Sequence, residues 1–146
     1  MLITGGSRGI GAATAVLAAK AGYAVAINYR DNAQAAAETA NAVEAAGGEA
    51  WCVQADVANA SDIMAMFAAL DARFGRLDVL VNNAGVVDKK ARVQDMTAER
   101  LTRMFTVNTI STFLCCREAV KRMSTELGKN GGSIINVSSA AARLGS

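Results

Sequence analysis

The sequence predicts an α/β fold, a doubly wound parallel sheet with helices on both faces, and three observations carry that reading. Short apolar runs, Ala24–Tyr29, Ala50–Ala55, Leu77–Val81 and Ser133–Val137, alternate with longer stretches of helical period. Strands that alternate with helices join in parallel through right-handed crossovers. Every conspicuous polar motif falls just after one of the strands, at the edge where open α/β sheets bind ligands. The 146 residues are 52% apolar and 19% charged, enough for one domain with a real core and too few for two.

The elements follow in order. Met1-Leu2-Ile3 is the tip of a first strand, and Ala12 to Lys20 reads as an amphipathic, Ala-rich helix stopped by Gly22. Ala24–Tyr29 is a second strand. Asp31 starts a second helix through Ala33–Ala46, which Gly47-Gly48 ends. Ala50–Ala55 is a third strand, with Asp56 past its tip. Asn59 or Ser61 caps a helix that runs to about Phe74, with Gly75 as its stop. The stripe Ile63, Met66, Phe67 and Leu70 on that helix belongs to the core. Leu77–Val81 is a fourth strand of the doubly buried type, followed by Asn82-Asn83-Ala84-Gly85. After a polar loop, Val86 to Asp95, Thr97 caps a helical region that reaches about Leu127 with a break near Asn108. A turn, Gly128 to Gly132, leads to the fifth strand, Ser133–Val137, and then Ser138-Ser139.

The densest motif is Thr4-Gly5-Gly6-Ser7-Arg8-Gly9-Ile10-Gly11, placed between a strand tip and a helix start. Gly5 takes backbone angles closed to other residues, Gly9 lets main chain approach a pyrophosphate, and Gly11 lets helix pack close to strand. The free N–H groups of the first helical turn and the positive end of the helix dipole face the anion. The spacing G-x-x-x-G-x-G differs from G-x-G-x-x-G, and the lack of a following Lys-Ser or Lys-Thr argues against a nucleotide-triphosphate loop. A methyltransferase turn or a plain Gly-rich connection competes for this motif taken alone.

Composition removes other classes of function. A formal net charge of +2 gives no electrostatic reason to propose nucleic acid or an anionic membrane surface. The longest apolar run is too short to span a bilayer, and no secretory pattern opens the chain. Cys52, Cys115 and Cys116 form no C-x-x-C and read as free thiols in a reducing compartment, the cytoplasm. Histidine is absent, which removes His-based metal sites, Ser-His-Asp triads and Cys-His dyads together, and no metal site is expected.

Several stretches together, TGGSRGIG at 4–11, Asp56-Val57, NNAG at 82–85, the VNT around Asn108 and IINVSS at 134–139, resemble the short-chain dehydrogenases/reductases, in order and spacing along the whole chain. The likeness is strongest to the NADP-preferring ketoacyl reductase and glucose dehydrogenase-like branch. It implies a Rossmann-type fold and a hydride transfer between a nicotinamide and a carbonyl or secondary alcohol. It also implies roles. Ser7, Arg8 and Ile10 would hold the cofactor's phosphates and ribose, and Asp56 its adenine amino group, beside the Val57 main chain. Asn83, Ala84 and Gly85 would line the adenosine ribose. Asn108 would bind the water of a proton relay, and Ser139, rather than Ser138, would hold the substrate oxygen. A homotetramer follows from the resemblance alone, with the Cys115-Cys116 helix at a subunit interface.

Charge argues the cofactor type. A site for NAD offers an acidic residue at the end of the second strand. Here that place reads Asn28-Tyr29-Arg30, and Arg30 with Arg8 suits a 2′-phosphate, so NADP is preferred over NAD, with Asp31 weakening the case. Without the family pattern, Asp56 reads equally as a helix N-cap.

The family's Tyr-x-x-x-Lys pair, expected a dozen or so residues after Ser139, is not reached, and Tyr23 and Tyr29 lie on the wrong elements. The first strand has barely three residues and the fifth presents an apolar edge, so the sheet is read as incomplete at both ends. Residues 1–146 are accordingly expected to be the nucleotide-binding part of a longer enzyme, itself inactive. The alternative is a non-catalytic nucleotide-binding module that acts as a sensor or partner. The substrate is left open, with Val86, Val87 and Ala140 to Ala142 suggesting an apolar wall.

Overall fold

The computed structural model describes residues 1–144, with the side chain of Ala142 excepted. That side chain, expected in an apolar wall with Ala140 and Ala141, lies outside the described residues. Five parallel strands form one sheet in the order β3-β2-β1-β4-β5: β1 (Leu2–Ile3), β2 (Val25–Tyr29), β3 (Ala50–Gln54), β4 (Val79–Asn82) and β5 (Ser133–Asn136). β1 lies at the centre, with Leu2 opposite Ala26 and Leu80, and Ile3 opposite Ile27 and Val81.

The strand alternation divides the core. Leu2, Ala26 and Leu80 point to one face, with Ile63, Met66, Phe67 and Leu70 of α3 (Ala60–Phe74) and Cys115, Ala119 and Met123 of α5 (Ser111–Met123). Ile3, Val25, Ile27 and Val81 point to the other, against Ala15, Ala18 and Ala19 of α1 (Gly9–Lys20) and Val43 of α2 (Ala33–Ala45). Doubly buried strands explain why the sequence shows near-continuous apolar runs.

Several boundaries differ from expectation. α1 starts at Gly9 instead of Ala12, and it is not amphipathic: it buries Gly11, Ala15, Ala18 and Ala19 while Leu17 is 65% exposed. Small side chains on the sheet side bring this helix close to the strands. The second helix is capped by Asn32, whose Oδ1 accepts from the Ala35 N–H at 2.9 Å, and not by Asp31. Asn59 caps α3, and Gly75 closes it in the left-handed region with φ 68°. β4 begins at Val79, two residues after the buried Leu77. Thr97 caps α4 (Ala98–Phe105), as its spacing predicts. The expected break near Asn108 is a π-helical segment, Thr106–Ile110, that leads without interruption into α5. A short helix after β5, α6 (Ala141–Leu144), has no counterpart in the sequence reading.

α3 and α5 are joined by an ion network. Arg122 donates to both carboxylate oxygens of Asp71, at 2.8 and 2.7 Å, and to Glu118, and its guanidinium lies 5.0 Å from the Phe67 ring centroid. Glu118, almost fully buried, also accepts from Lys121 and Arg117. β5 pairs only with β4 among the described residues, and Ile135 is 49% exposed.

Candidate functional site

The carboxyl ends of β1, β2, β3 and β4 open onto one cleft of about 630 Å³. Of the residues the sequence nominates, Gly5, Ser7, Arg8, Gly9, Ile10, Arg30, Asp56, Val57, Asn83, Ala84 and Gly85 line it. Gly11, Asn108 and Ser139 do not.

The floor is a set of side chains that hold strand ends together. Asn28, 2% exposed, accepts from the Gly5 N–H through Oδ1 at 3.2 Å and donates through Nδ2 to the Ala55 carbonyl at 3.0 Å. Thr4 Oγ1 accepts from the N–H groups of Asn83 and Ala84, at 3.0 and 3.1 Å. Asn83 Nδ2 returns the link by donating to the carbonyls of Thr4 and Gly5, both at 3.0 Å. These bonds fix the glycine turn against β2, β3 and β4. The Ser7 carbonyl, which accepts from Thr39 Oγ1 at 3.1 Å, ties it to α2.

The glycines now have distinct physical reasons. A Cβ on Gly11 would stand 2.6 Å from both Asn83 Nδ2 and the Gly5 carbonyl, so Gly11 is required by the turn's own packing. Gly9 has φ 56° and nothing within 4 Å of where a Cβ would stand. It therefore keeps the mouth of the turn clear. Arg8, at the N-cap of α1, makes no side-chain cap bond, and no acidic residue occupies the first turn. The first amides of the helix face the cleft without a side-chain acceptor, the arrangement in which helix N-termini take anions.

At the β2 end, Arg30 Nε donates to Asp31 Oδ2. That hydrogen bond, with the carboxylate's charge, raises the Arg30 pKa above its ordinary value, so the guanidinium is cationic at any working pH. Asp56 is not a helix cap. Its Oδ1 accepts from the Ala58 N–H at 2.9 Å in an Asx turn, and its own N–H donates to Asp62.

At the far side, Asn108 spends its whole amide on one residue: Oδ1 accepts from the Val86 N–H at 2.8 Å and Nδ2 donates to the Val86 carbonyl at 3.0 Å. Asn108 thus anchors the loop after β4. Arg100 holds the same loop further on, through Asp88 and the Lys89 carbonyl. Ser139, past β5, accepts from the Ala141 N–H at 3.2 Å, which fixes its oxygen and leaves its O–H free to donate. Asn82 is the buried member of the strand-end pair and donates to Asn136 Oδ1 at 2.9 Å.

Sequence reasoning quoted the stretches that hold Asn28, Tyr29 and Val107 without giving these cleft residues a role, and it missed Arg103. Asn28 had a signal, a lone amide in an apolar strand that must find partners. Arg103 had none, because its place depends on how α4 lies over the sheet.

The comparisons with known proteins agree with this geometry. The profile of the short chain dehydrogenase family matches residues 1–146. An uncharacterized oxidoreductase of Escherichia coli K12, YgfF, is 52% identical over 99% of this chain and 59% of its own length. A 3beta-hydroxysteroid dehydrogenase of Mediterraneibacter gnavus is 41% identical, over 99% of this chain and 51% of its own. A 3-oxoacyl-[acyl-carrier-protein] reductase of Synechocystis is 39% identical, over 99% and 57%. Among solved structures, a mutant short-chain dehydrogenase/reductase of Serratia marcescens superposes with a TM-score of 0.88 at 38% identity, covering 97% of this chain and 55% of that one. The chain spans about half to three-fifths of the length of the relatives it matches. With the family profile matching all 146 residues of the chain and a parallel sheet of the same shape, this chain belongs to the short-chain dehydrogenase/reductase family.

Proposed function

We propose that residues 1–146 are the cofactor-binding part of an NADP-dependent oxidoreductase that acts on a carbonyl or secondary alcohol. The observation that carries this reading is the cleft itself: a helix N-terminus without a side-chain acceptor, with Gly9, Arg8, Arg30 and Asp56 lining the same opening. Its volume suits a ligand of cofactor size.

In this reading the first amides of α1 and Ser7 hold the pyrophosphate, with Ile10 and the 83–85 main chain against the ribose. Arg30 and Arg8 supply charge-assisted hydrogen bonds to a 2′-phosphate. Asp31 already engages Nε of Arg30 and leaves its terminal nitrogens for the ligand. Asp56 presents its remaining oxygen to the adenine amino group. When bound, the nicotinamide supplies or accepts hydride at the substrate carbon. Ser139 donates its O–H to the substrate oxygen, and the Ala141 N–H keeps that hydroxyl in place. Asn108 serves the site through Val86: it fixes the loop that forms one wall. The general acid belongs to the family's Tyr-x-x-x-Lys pair, outside these residues, so the stretch by itself performs no turnover. A cytoplasmic homotetramer is the assembly this reading favours. Phe105, Ile110, Phe113 and Val120, exposed on α4 through α5, provide an apolar surface for it. Among the described residues no helix is long and apolar enough to cross a membrane.

The test is NADPH oxidation by the full-length protein with a panel of ketones and 3-ketoacyl thioesters. Ser139→Ala is expected to lower kcat by roughly two orders of magnitude, the usual loss for one donor to a developing oxyanion. Turnover with no ketone, or turnover indifferent to Ser139, overturns the reading.

A further inference from the structure

Arg103 lines the cleft, yet its side chain has no hydrogen bond or ion pair among the described residues, and no motif of the sequence accounts for it. It stands on α4 one turn before Val107, so the two share a helix face. Val107 is buried in the cluster that contains Ala55 and Val57, the residues flanking Asp56 past β3. Arg103, Val107, Asp56 and Val57 line one cleft, which Ser139 does not reach.

The helix itself offers Arg103 a partner and does not use it. Glu99 lies four residues earlier, in the favourable acid-before-base order for a helical ion pair. Its carboxylate is instead held below the ordinary range by its own main-chain N–H and the Thr97 hydroxyl at the start of α4. Arg100, the neighbouring arginine, is spent on Asp88 and the Lys89 carbonyl. Of the two arginines on this helix, only Arg103 lines the cleft, and its exposed side chain has no partner among the described residues.

On the cofactor reading given above, we propose that Arg103 forms the outer wall of the adenine pocket, its guanidinium plane laid on the purine ring that Val57 and Val107 bound from inside. A planar, weakly hydrated guanidinium stacks on aromatic faces where an ammonium does not. Val107 gives the inner, apolar contact and Asp56 the polar edge, so the one side left to water is the side Arg103 covers. This contact is blind to the 2′-phosphate, in contrast to that of Arg30.

Calorimetric titration of the full-length protein with NADP+ and, separately, with NAD+ tests the assignment without reference to turnover. Arg103→Ala is expected to weaken both dinucleotides by the same factor, about tenfold, a typical worth for a partly desolvated cation–π contact. Arg103→Lys is expected to recover little of that loss, because it restores charge and not the plane. Since Arg103 is exposed and unpaired, both variants should melt without ligand as the parent does, which separates a lost contact from a lost fold. A loss confined to NADP+ would place Arg103 on the 2′-phosphate and overturn the stacking role. Affinities within about twofold of the parent would overturn any contact, being under the smallest cation–π effect. A parent protein that binds neither dinucleotide would defeat the cofactor reading itself, and this inference with it.

Discussion

Single residues in this fold carry tasks that their exposure does not reveal. Gly9 and Gly11 stand two apart in one turn and should fail differently. Gly11→Ala drives a Cβ to 2.6 Å from Asn83 Nδ2 and a main-chain oxygen. Overpacking of that kind costs about 1–3 kcal/mol or more, so a clear drop in stability by urea denaturation is expected. Gly9→Ala meets no atom, and only its φ of 56° is strained, at a cost of about 1–2 kcal/mol. That variant should stay folded and lose nucleotide affinity, because the methyl group stands where the turn must be clear. Asn28→Ala removes the acceptor of the Gly5 N–H and the donor to the Ala55 carbonyl. Leaving those groups unmet costs about 1–3 kcal/mol, again read by denaturation.

Among the elements, the seam between α3 and α5 has a predictable pH dependence. Glu118 accepts from Lys121 first, and from Arg122 and Arg117, which together outweigh burial and hold its carboxyl below the ordinary carboxylate range. A folded pKa below the unfolded one stabilises the protein above the unfolded value, near 4.3, and the contribution is lost as pH falls through the folded pKa. Stability should therefore decline on acidification below about pH 4.3, and Glu118→Gln should flatten that part of the profile while costing about 1–3 kcal/mol at neutral pH. In α5 the Cys115 thiol is pushed up to about 12 by burial, with smaller contributions from Cys116 and Glu118, so it should resist alkylation in the native state.

How legible the elements were follows from their physics. Doubly buried strands write themselves as apolar runs, and β2 through β5 were found within two residues of their ends. The stripe of α3 was equally plain. α1 was misread as amphipathic because a helix that packs by alanine and glycine hides its buried side from any hydrophobic pattern. The Asn108 break was sensed from an amide within a helix, but only the structure shows a π segment whose side chain reaches back to Val86. Asp56 and Asn83 could be nominated from motif and position. Arg103 could not, since sequence says nothing of which way an unpaired cation on a helix turns.

At the scale of the whole molecule, β5 leaves one strand edge open among the described residues, with Ile135 beside it and Phe105 and Phe113 exposed on the helices. Unpaired edges with apolar neighbours template association. A polypeptide limited to these residues should thus self-associate in light scattering, and Ile135→Lys should reduce it.

The central claim is that the cleft at the strand ends holds a dinucleotide with a 2′-phosphate. Competitive titration of the full-length protein with NADP+ and NAD+, in the parent and in Arg30→Ala, tests it most directly. The account predicts saturable one-site binding with NADP+ the tighter, and a preference that falls by about tenfold in Arg30→Ala as charge-assisted hydrogen bonds to the 2′-phosphate are lost. NAD+ binding as tight as NADP+ in the parent, or a preference unmoved by the substitution, would contradict it.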